Sequence, residues 1–206
     1  MEQGSQAFTT SPSVVAKFDT SFVRLKSKLG TWIDDALRAP SVETGLNVLC
    51  QKLEQAMSQG IISLPDRFRA VQPDRYARRL LYDDPGTGVS VLAMVWAPGQ
   101  STALHDHSGR WGVEAVLAGE IETVPFELIG KQNAKYFFEA RPAERLPAGS
   151  TSYLIPPFEH HITRNVSQQV AITLNIYGGE IPACNIFLPT GYGPYVRQRR
   201  ALSYSD

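Results

Sequence analysis

Two of the four histidines, His105 and His107, are separated by a single residue in the segment ALHDHSG. On a β-strand, residues two apart point to the same face, so both imidazoles can bind one first-row transition metal. The same spacing also fits two polar residues on a solvated strand face, and the pair alone leaves both interpretations open. The other two, His160 and His161, are adjacent. Neighbours on a strand point to opposite faces, so only one of these can join the first pair.

The first histidine pair lies in a motif that resembles the first signature of the cupin superfamily. Gly99 precedes His105 by five intervening residues, and Gly119 closes the motif. Seven residues before Gly119, where the signature has a glutamate ligand, the chain has Gly112. Glu114 lies two residues further on, which keeps the strand face but misses the ligand position. The segment therefore offers two histidines and no carboxylate ligand.

The second histidine pair lies in PPFEHHITRN, which resembles the second cupin signature. His161 takes the histidine position of that signature and Asn165 its asparagine position. His160 is then expected outside the site, as a polar or supporting residue. The resemblance implies a small antiparallel β-barrel that holds a metal in its mouth. The implied ligands are His105, His107 and His161.

Three neutral imidazoles without a carboxylate leave the charge of a divalent metal uncompensated. We expect such a centre to favour an anionic substrate, such as a thiolate, as a further ligand. Three protein ligands on one side also keep positions open for a second small molecule such as O₂. The ligand set therefore favours an anionic substrate and leaves room for a second ligand at the same metal.

Longer stretches resemble one cupin family, the thiol dioxygenases, of which cysteine dioxygenase is the best-known member. They are DRYARRLLY, VWAPGQSTALHDHS and HHITRNVSQQVAITLNIYGG, and the resemblance covers about residues 22–190. It implies an enzyme with one Fe(II) per chain that adds both atoms of O₂ to the sulfur of a small thiol carboxylic acid. L-cysteine, giving cysteine sulfinic acid, is the first expectation. The alternatives are 3-mercaptopropionate or another mercapto-acid, a different metal-dependent cupin enzyme, and a cupin that only binds a ligand.

The resemblance also assigns roles outside the ligand set. Arg78, with Tyr76, would bind the substrate carboxylate, because a guanidinium matches a carboxylate with two parallel hydrogen bonds. Strand parity with Tyr76 favours Arg78 over its neighbour Arg79. In the family, arginine here accompanies α-amino acid substrates, whereas relatives that oxidise 3-mercaptopropionate tend to carry glutamine. Tyr177 would direct its hydroxyl at the bound sulfur or oxygen, the alternative being an ordinary core tyrosine. Alternation in VAITLNIYGG places three polar residues on one face: Thr173, Asn175 and Tyr177.

Two positions depart from the family pattern. Gly112 stands where animal members have a cysteine that crosslinks to the tyrosine, so Tyr177 is expected to be a free phenol, as in the bacterial branch. Thr173 and Asn175 stand where the family has serine and histidine. Asparagine does not titrate near neutral pH as histidine does. These two residues are therefore expected to support the site by hydrogen bonding.

Helices and strands of distinct periodicity have to position these residues. Apolar residues recur at three- and four-residue spacing in two N-terminal stretches, separated by Pro40, and from about residue 76 they alternate in short segments. These patterns predict two helices followed by an all-β sandwich or barrel. We expect a mainly β fold, a jelly-roll-like cupin barrel with an N-terminal helical lobe. The expected parts are a flexible arm over 1–20, the helical lobe over 21–75, and the barrel over 76–206, which folds as one unit with the helices.

Composition is that of an ordinary soluble protein. The 206 residues are 43% hydrophobic, and 20 basic residues balance 20 acidic ones. This neutral balance predicts no nucleic-acid partner and no anionic membrane partner. No apolar run is long enough for a membrane span, the N-terminus lacks a signal-peptide pattern, and the two cysteines are far apart. A reduced cytoplasm is expected, with a small thiol and O₂ as partners.

Overall fold

A computed structural model describes residues 20–191 and 193–205. The expected N-terminal arm over 1–20 lies outside these residues except for its last position. Within the described residues, no helix combines the length and the apolar character needed to cross a bilayer.

Two helices precede the strands, α1 at Thr20–Leu37 and α2 at Val42–Ser58, with one 3₁₀ turn at Asp66–Phe68. The Ser41 side chain caps α2 by accepting from the backbone N–H of Thr44 at 3.1 Å, which satisfies one of the unpaired donors at the helix start. Buried residues recur at the predicted three- and four-residue spacing in both helices, at Leu25, Leu29 and Ile33 of α1 and at Leu46, Leu49 and Leu53 of α2. Leu37, the last residue of α1, and Val42, the first residue of α2, are exposed.

Twelve strands follow in the described part of the chain. They are β1 Ala77–Asp83, β2 Ser90–Trp96, β3 Leu104–His105, β4 Gly112–Ala118, β5 Glu120–Gln132, β6 Lys135–Ala140, β7 Glu144–Pro147, β8 Thr151–Leu154, β9 His161–Asn165, β10 Ala171–Tyr177, β11 Ala183–Pro189 and β12 Tyr195–Ala201. A five-stranded sheet has the order β1-β2-β10-β4-β8, and a seven-stranded sheet has the order β6-β12-β11-β3-β9-β5-β7. The pairings are antiparallel. The predicted mainly β architecture, with two helices before the strands, is confirmed.

Alternation along the five-stranded sheet separates two cores. On β2, Val91, Ala93 and Val95 pack with the helices, together with Leu174 and Ile176 of β10. The intervening residues of both strands point into the space between the two sheets, where Leu92, Met94, Trp96 and Tyr177 belong to a second core. Because side chains alternate with period two, this fixes which residues of each strand face the barrel interior.

Candidate metal centre and active site

Three histidines meet in the barrel interior. His105 of β3 lies directly opposite His161 of β9 in the sheet register, and His107 follows β3 by two residues. The three side chains offer nitrogen atoms that all lie within 4.8 Å of one another, and no carboxylate of the described residues joins this group. The imidazole centroids are 4.8 to 5.0 Å apart. This spacing allows all three rings to bind a single metal ion.

Backbone carbonyls orient two of the rings. Nδ1 of His105 lies 3.0 Å from the carbonyl oxygen of Ala103, and Nδ1 of His107 lies 3.3 Å from that of Glu159. A ring that donates from Nδ1 keeps its Nε2 lone pair for a metal. Burial lowers the pKa of His105, and burial together with neighbouring histidines lowers the pKa values of His107 and His161 well below the usual range. The neutral donor set therefore fits a divalent transition metal.

Two acidic residues fix the loop that carries His107. The Asp106 carboxylate accepts from the backbone N–H of Asn185 at 2.9 Å and from its Nδ2 at 2.6 Å, which ties the loop to β11. The Glu159 carboxylate accepts from the N–H groups of His107 at 2.7 Å and of Gly109 at 3.2 Å. Sequence reasoning missed both residues, since a supporting carboxylate has no spacing rule that separates it from a solvated one.

His160 lies beside the site rather than in the ligand group. Its ring packs against Phe138 at 5.1 Å and Phe187 at 5.4 Å between centroids. Adjacent strand residues point to opposite sides, which explains why only His161 reaches the other two histidines.

Two cavities adjoin the histidines and share His105 and His107 as lining residues. The larger, of about 190 Å³, is lined by the three histidines together with Glu114, Asn175 and Tyr177. The smaller, of about 90 Å³, contains Arg78 and Cys184. Both are lined by Tyr76, which stacks on Trp96 with 4.3 Å between ring centroids. A small molecule at the histidines would therefore reach both.

Arg78, rather than Arg79, faces the interior. Arg78 lies opposite Met94, an interior residue, whereas Arg79 lies opposite Ala93, which packs with the helices. Residues opposite each other across two strands share a face. Arg78 is 7% exposed, and its guanidinium donates to the carbonyl oxygen of Ser203 at 3.4 Å.

The C-terminal segment, residues 202–205, covers the Arg78 end of the cavity. The Tyr204 ring centroid lies 5.7 Å from the Arg78 guanidinium, and the Ser205 hydroxyl accepts from the Arg78 backbone N–H at 3.1 Å. Sequence reasoning missed this segment, because a short polar stretch without periodicity gives no signal of where it packs.

Tyr177 is 6% exposed and lies against the histidines, with its ring 5.6 Å from that of His107. Burial raises its pKa far above the ordinary value, so the phenol keeps its proton. Its neighbour across the sheet is Gly112. A Cβ at Gly112 would lie 3.2 Å from both Cδ1 and Cε1 of Tyr177, closer than ordinary contact. Glycine has no sulfur, so Tyr177 has no thioether crosslink to this position.

A hydrogen-bond network links Trp96, Thr173 and Asn175 beside Glu114. Trp96 Nε1 donates to Thr173 Oγ1 at 3.3 Å, and Asn175 Nδ2 donates to the same oxygen at 2.7 Å. Glu114 lies opposite Asn175 in the pairing of β4 with β10, and burial raises the pKa of its carboxyl group to about 7. Sequence parity placed Glu114 on this face, but the network depends on the register between β4 and β10.

Comparison with known proteins agrees with this geometry. Residues 49–189 match the family described as cysteine dioxygenase type I. This match spans more than half of the chain, and the chain therefore belongs to that family.

Several solved structures are similar to this chain at low sequence identity and with TM-scores below 0.5. The TT1209 protein of Thermus thermophilus is 21% identical, with 56% of this chain and 94% of that chain covered and a TM-score of 0.44. A protein with a double-stranded β-helix domain from Klebsiella pneumoniae is 18% identical, with coverage of 58% and 91% and a TM-score of 0.43. A cupin 2 conserved barrel domain protein from Salinispora arenicola is 20% identical, with coverage of 56% and 86% and a TM-score of 0.39.

Proposed function

We propose that this chain is an Fe(II)-dependent thiol dioxygenase that converts a small thiol carboxylic acid, in the first instance L-cysteine, to its sulfinic acid. The observation that carries this proposal is the three-histidine group, without a carboxylate among the described residues, beside an inward-facing arginine. Membership of the cysteine dioxygenase type I family supports it. The fit of three neutral imidazoles to a divalent metal supports one iron ion per chain.

His105, His107 and His161 would hold the iron, and the chemistry that iron would supply when bound is a lowered pKa for a coordinated thiol and a place for it to meet O₂. The protein side chains keep the three ligands in position. Asp106 and Glu159 hold the ligand loop, so the three nitrogens keep their separation while substrate enters and product leaves. Supporting contacts of this kind set the orientation of ligand rings.

Arg78 would bind the substrate carboxylate. Its guanidinium faces the smaller cavity and is shielded from bulk water, where a charge-assisted pair of hydrogen bonds is stronger than at a surface. Tyr76 lines the same cavity, and its ring stacks on Trp96. A carboxylate bound by Arg78 would leave the thiol end of the substrate free to reach the histidines.

Tyr177 would donate its phenolic proton in a hydrogen bond to the oxygens that are added to sulfur. Because burial keeps the phenol protonated, it acts as a donor throughout the neutral range. The reaction is R–SH + O₂ → R–SO₂H. Both oxygen atoms bond to sulfur, which loses the four electrons that O₂ gains, so no external reductant is needed.

The expected setting follows from charge and cysteine chemistry. Cys50 and Cys184 are both free and buried, which supports work in a reducing cytoplasm. The neutral overall charge supports small-molecule partners, the thiol and O₂, rather than a nucleic acid or a membrane.

The test is oxygen uptake by the iron-loaded protein with L-cysteine, 3-mercaptopropionate and non-thiol acids, with the sulfinate product quantified. We expect thiol-dependent uptake with close to one sulfinate formed per O₂. His161→Ala is expected to lose both iron and activity. Uptake only with non-thiol acids would indicate a different metal-dependent enzyme. Purification without iron, with His161→Ala changing nothing, would indicate a ligand-binding protein.

A further inference from the structure

Arg200 is an arginine that the proposed reaction does not use. It lies on β12 directly opposite Cys184 of β11, and the next pair along the same face is Gln198 and Ile186. Residues opposite each other in a sheet share a face, and Cys184 and Ile186 belong to the core between the two sheets. The Arg200 side chain therefore starts on the interior side of β12.

Arg200 and Arg78 line the same cavity. Both belong to the smaller one, of about 90 Å³, which is also lined by His105, His107 and Tyr177. Arg78 is buried, whereas Arg200 is exposed, so Arg200 lies where this cavity meets solvent. A small molecule that binds at the histidines from this cavity therefore lies beside two arginine side chains.

The charges of both arginines act on the polar groups of this cavity. Burial raises the pKa of the Tyr76 hydroxyl, and the positive charges of Arg78 and Arg200 oppose this shift. Burial likewise raises the pKa of the Cys184 thiol, and the same two charges oppose the shift there. Since Tyr76 and Cys184 both line the smaller cavity, an anion in this cavity would be attracted by both guanidinium groups.

Neither guanidinium forms an ion pair within the part of the chain that the structure describes. The ion pairs found there do not include Arg78 or Arg200. Asp106 also lines the cavity, but its carboxylate accepts from the backbone N–H groups of Ser108 at 3.2 Å and Asn185 at 2.9 Å, and from Asn185 Nδ2 at 2.6 Å. One substrate carboxylate can pair with Arg78, which leaves the charge of Arg200 available at the cavity opening.

We propose that Arg200 is a specificity-determining residue that binds a second anionic group of the substrate. The substrate class that this cavity binds best is then a thiol dicarboxylic acid, whose first carboxylate binds Arg78 and whose second binds Arg200. Each guanidinium can hold a carboxylate with two parallel hydrogen bonds. The inference rests on the proposed function, because it concerns which thiol is bound best at the same centre. L-cysteine, with one carboxylate, would use Arg78 alone.

Mercaptosuccinate and 3-mercaptopropionate are a matched pair of probes. They differ only by a second carboxylate on the carbon that bears sulfur. The experiment measures anaerobic binding of both thiols to the iron-loaded wild-type protein by calorimetry, together with kcat/KM for each. We expect the wild type to bind mercaptosuccinate about 3- to 10-fold more tightly, the worth of a partly exposed ion pair with hydrogen bonds.

Arg200→Gln should remove this preference. The variant is expected to bind the two thiols equally, within about twofold, because it loses affinity for mercaptosuccinate alone. Arg200→Lys keeps the positive charge but not the planar fork of donors, so it should retain part of the preference.

Arg199→Gln is the matched control. Arg199 is exposed, lies opposite Asn185 on the other face of β12 and lines neither cavity. Its replacement removes the same charge from the same strand, and we expect the preference between the two thiols to stay unchanged.

Equal binding of the two thiols by the wild type would overturn the inference, and so would a preference for mercaptosuccinate that survives in Arg200→Gln. An equal loss of preference in Arg199→Gln would also overturn it, because the overall charge of β12 would then be responsible. The binding measurement does not depend on turnover. If the iron-loaded wild type binds these thiols but oxidises none of them, the proposed function fails, and the binding preference still decides the role of Arg200. Binding of neither thiol would overturn both.

Discussion

Replacing Glu114 by glutamine should stabilise the metal-free protein, and the gain should grow with pH. Burial raises the pKa of this carboxyl group from 4.5 to about 7. Between these values the folded protein keeps a proton that the unfolded chain has released, so wild-type stability falls as the pH rises. Below about pH 4.5 both states hold the proton and the penalty disappears. Glutamine does not ionise, so the stability of the variant does not fall with pH for this reason.

The size of the effect follows from the two pKa values. A difference between about 7 and 4.5 corresponds to a loss of about 3 kcal/mol once both states are ionised, and about 2.5 kcal/mol of it falls between pH 5 and pH 8. For a chain of this size, each kcal/mol shifts the midpoint of thermal unfolding by roughly 2–4 °C. The variant should therefore gain roughly 5–10 °C on the wild type between these two pH values.

Urea unfolding of metal-free wild type and Glu114→Gln at pH 5 and pH 8 measures this difference directly. The protein must be metal-free, because a cation in the cavity would lower the pKa of Glu114. Glu144→Gln serves as the control, because Glu144 is exposed. This variant should show no pH-dependent gain in the free energy of unfolding. A stability difference between wild type and Glu114→Gln that is the same at both pH values would refute the reasoning that Glu114 is desolvated.

Three further outcomes test the site. Arg78→Gln should raise KM for L-cysteine by at least about tenfold with unchanged iron content, since the guanidinium binds substrate and not metal; a change in kcat alone would contradict this role. Tyr177→Phe should lower kcat by about 10- to 100-fold in steady-state assays while KM changes little; an unchanged kcat would place the hydroxyl outside the reaction. Deletion of residues 202–206 should raise KM for every carboxylate-bearing thiol, because residues 202–205 cover Arg78; unchanged KM values would show that the cover is dispensable.

The metal-site geometry was accessible from sequence because strand alternation is a local rule. It places His105 and His107 on one face and requires that one of His160 and His161 face away. The cupin-like spacing then selected His161, and the structure brings it together with the first pair.

Other parts of the site depend on sheet register, which spacing does not encode. Arg78 and Arg79 are distinguished by their partners Met94 and Ala93 on β2. The surroundings of Glu114 depend on its pairing with Asn175, which lies on a different strand about 60 residues away in sequence. The cover over Arg78 depends on a tail that has no periodic pattern. Contacts between residues far apart in the chain, rather than local propensity, determine these three features of the site.

The most direct measurement of the central claim is the isotopic content of the product formed from L-cysteine under ¹⁸O₂. The iron-loaded protein is predicted to give cysteine sulfinic acid in which both sulfinate oxygens are labelled. Unlabelled or singly labelled sulfinate, or disulfide and peroxide in its place, would contradict a dioxygenase that transfers both atoms of O₂ to sulfur.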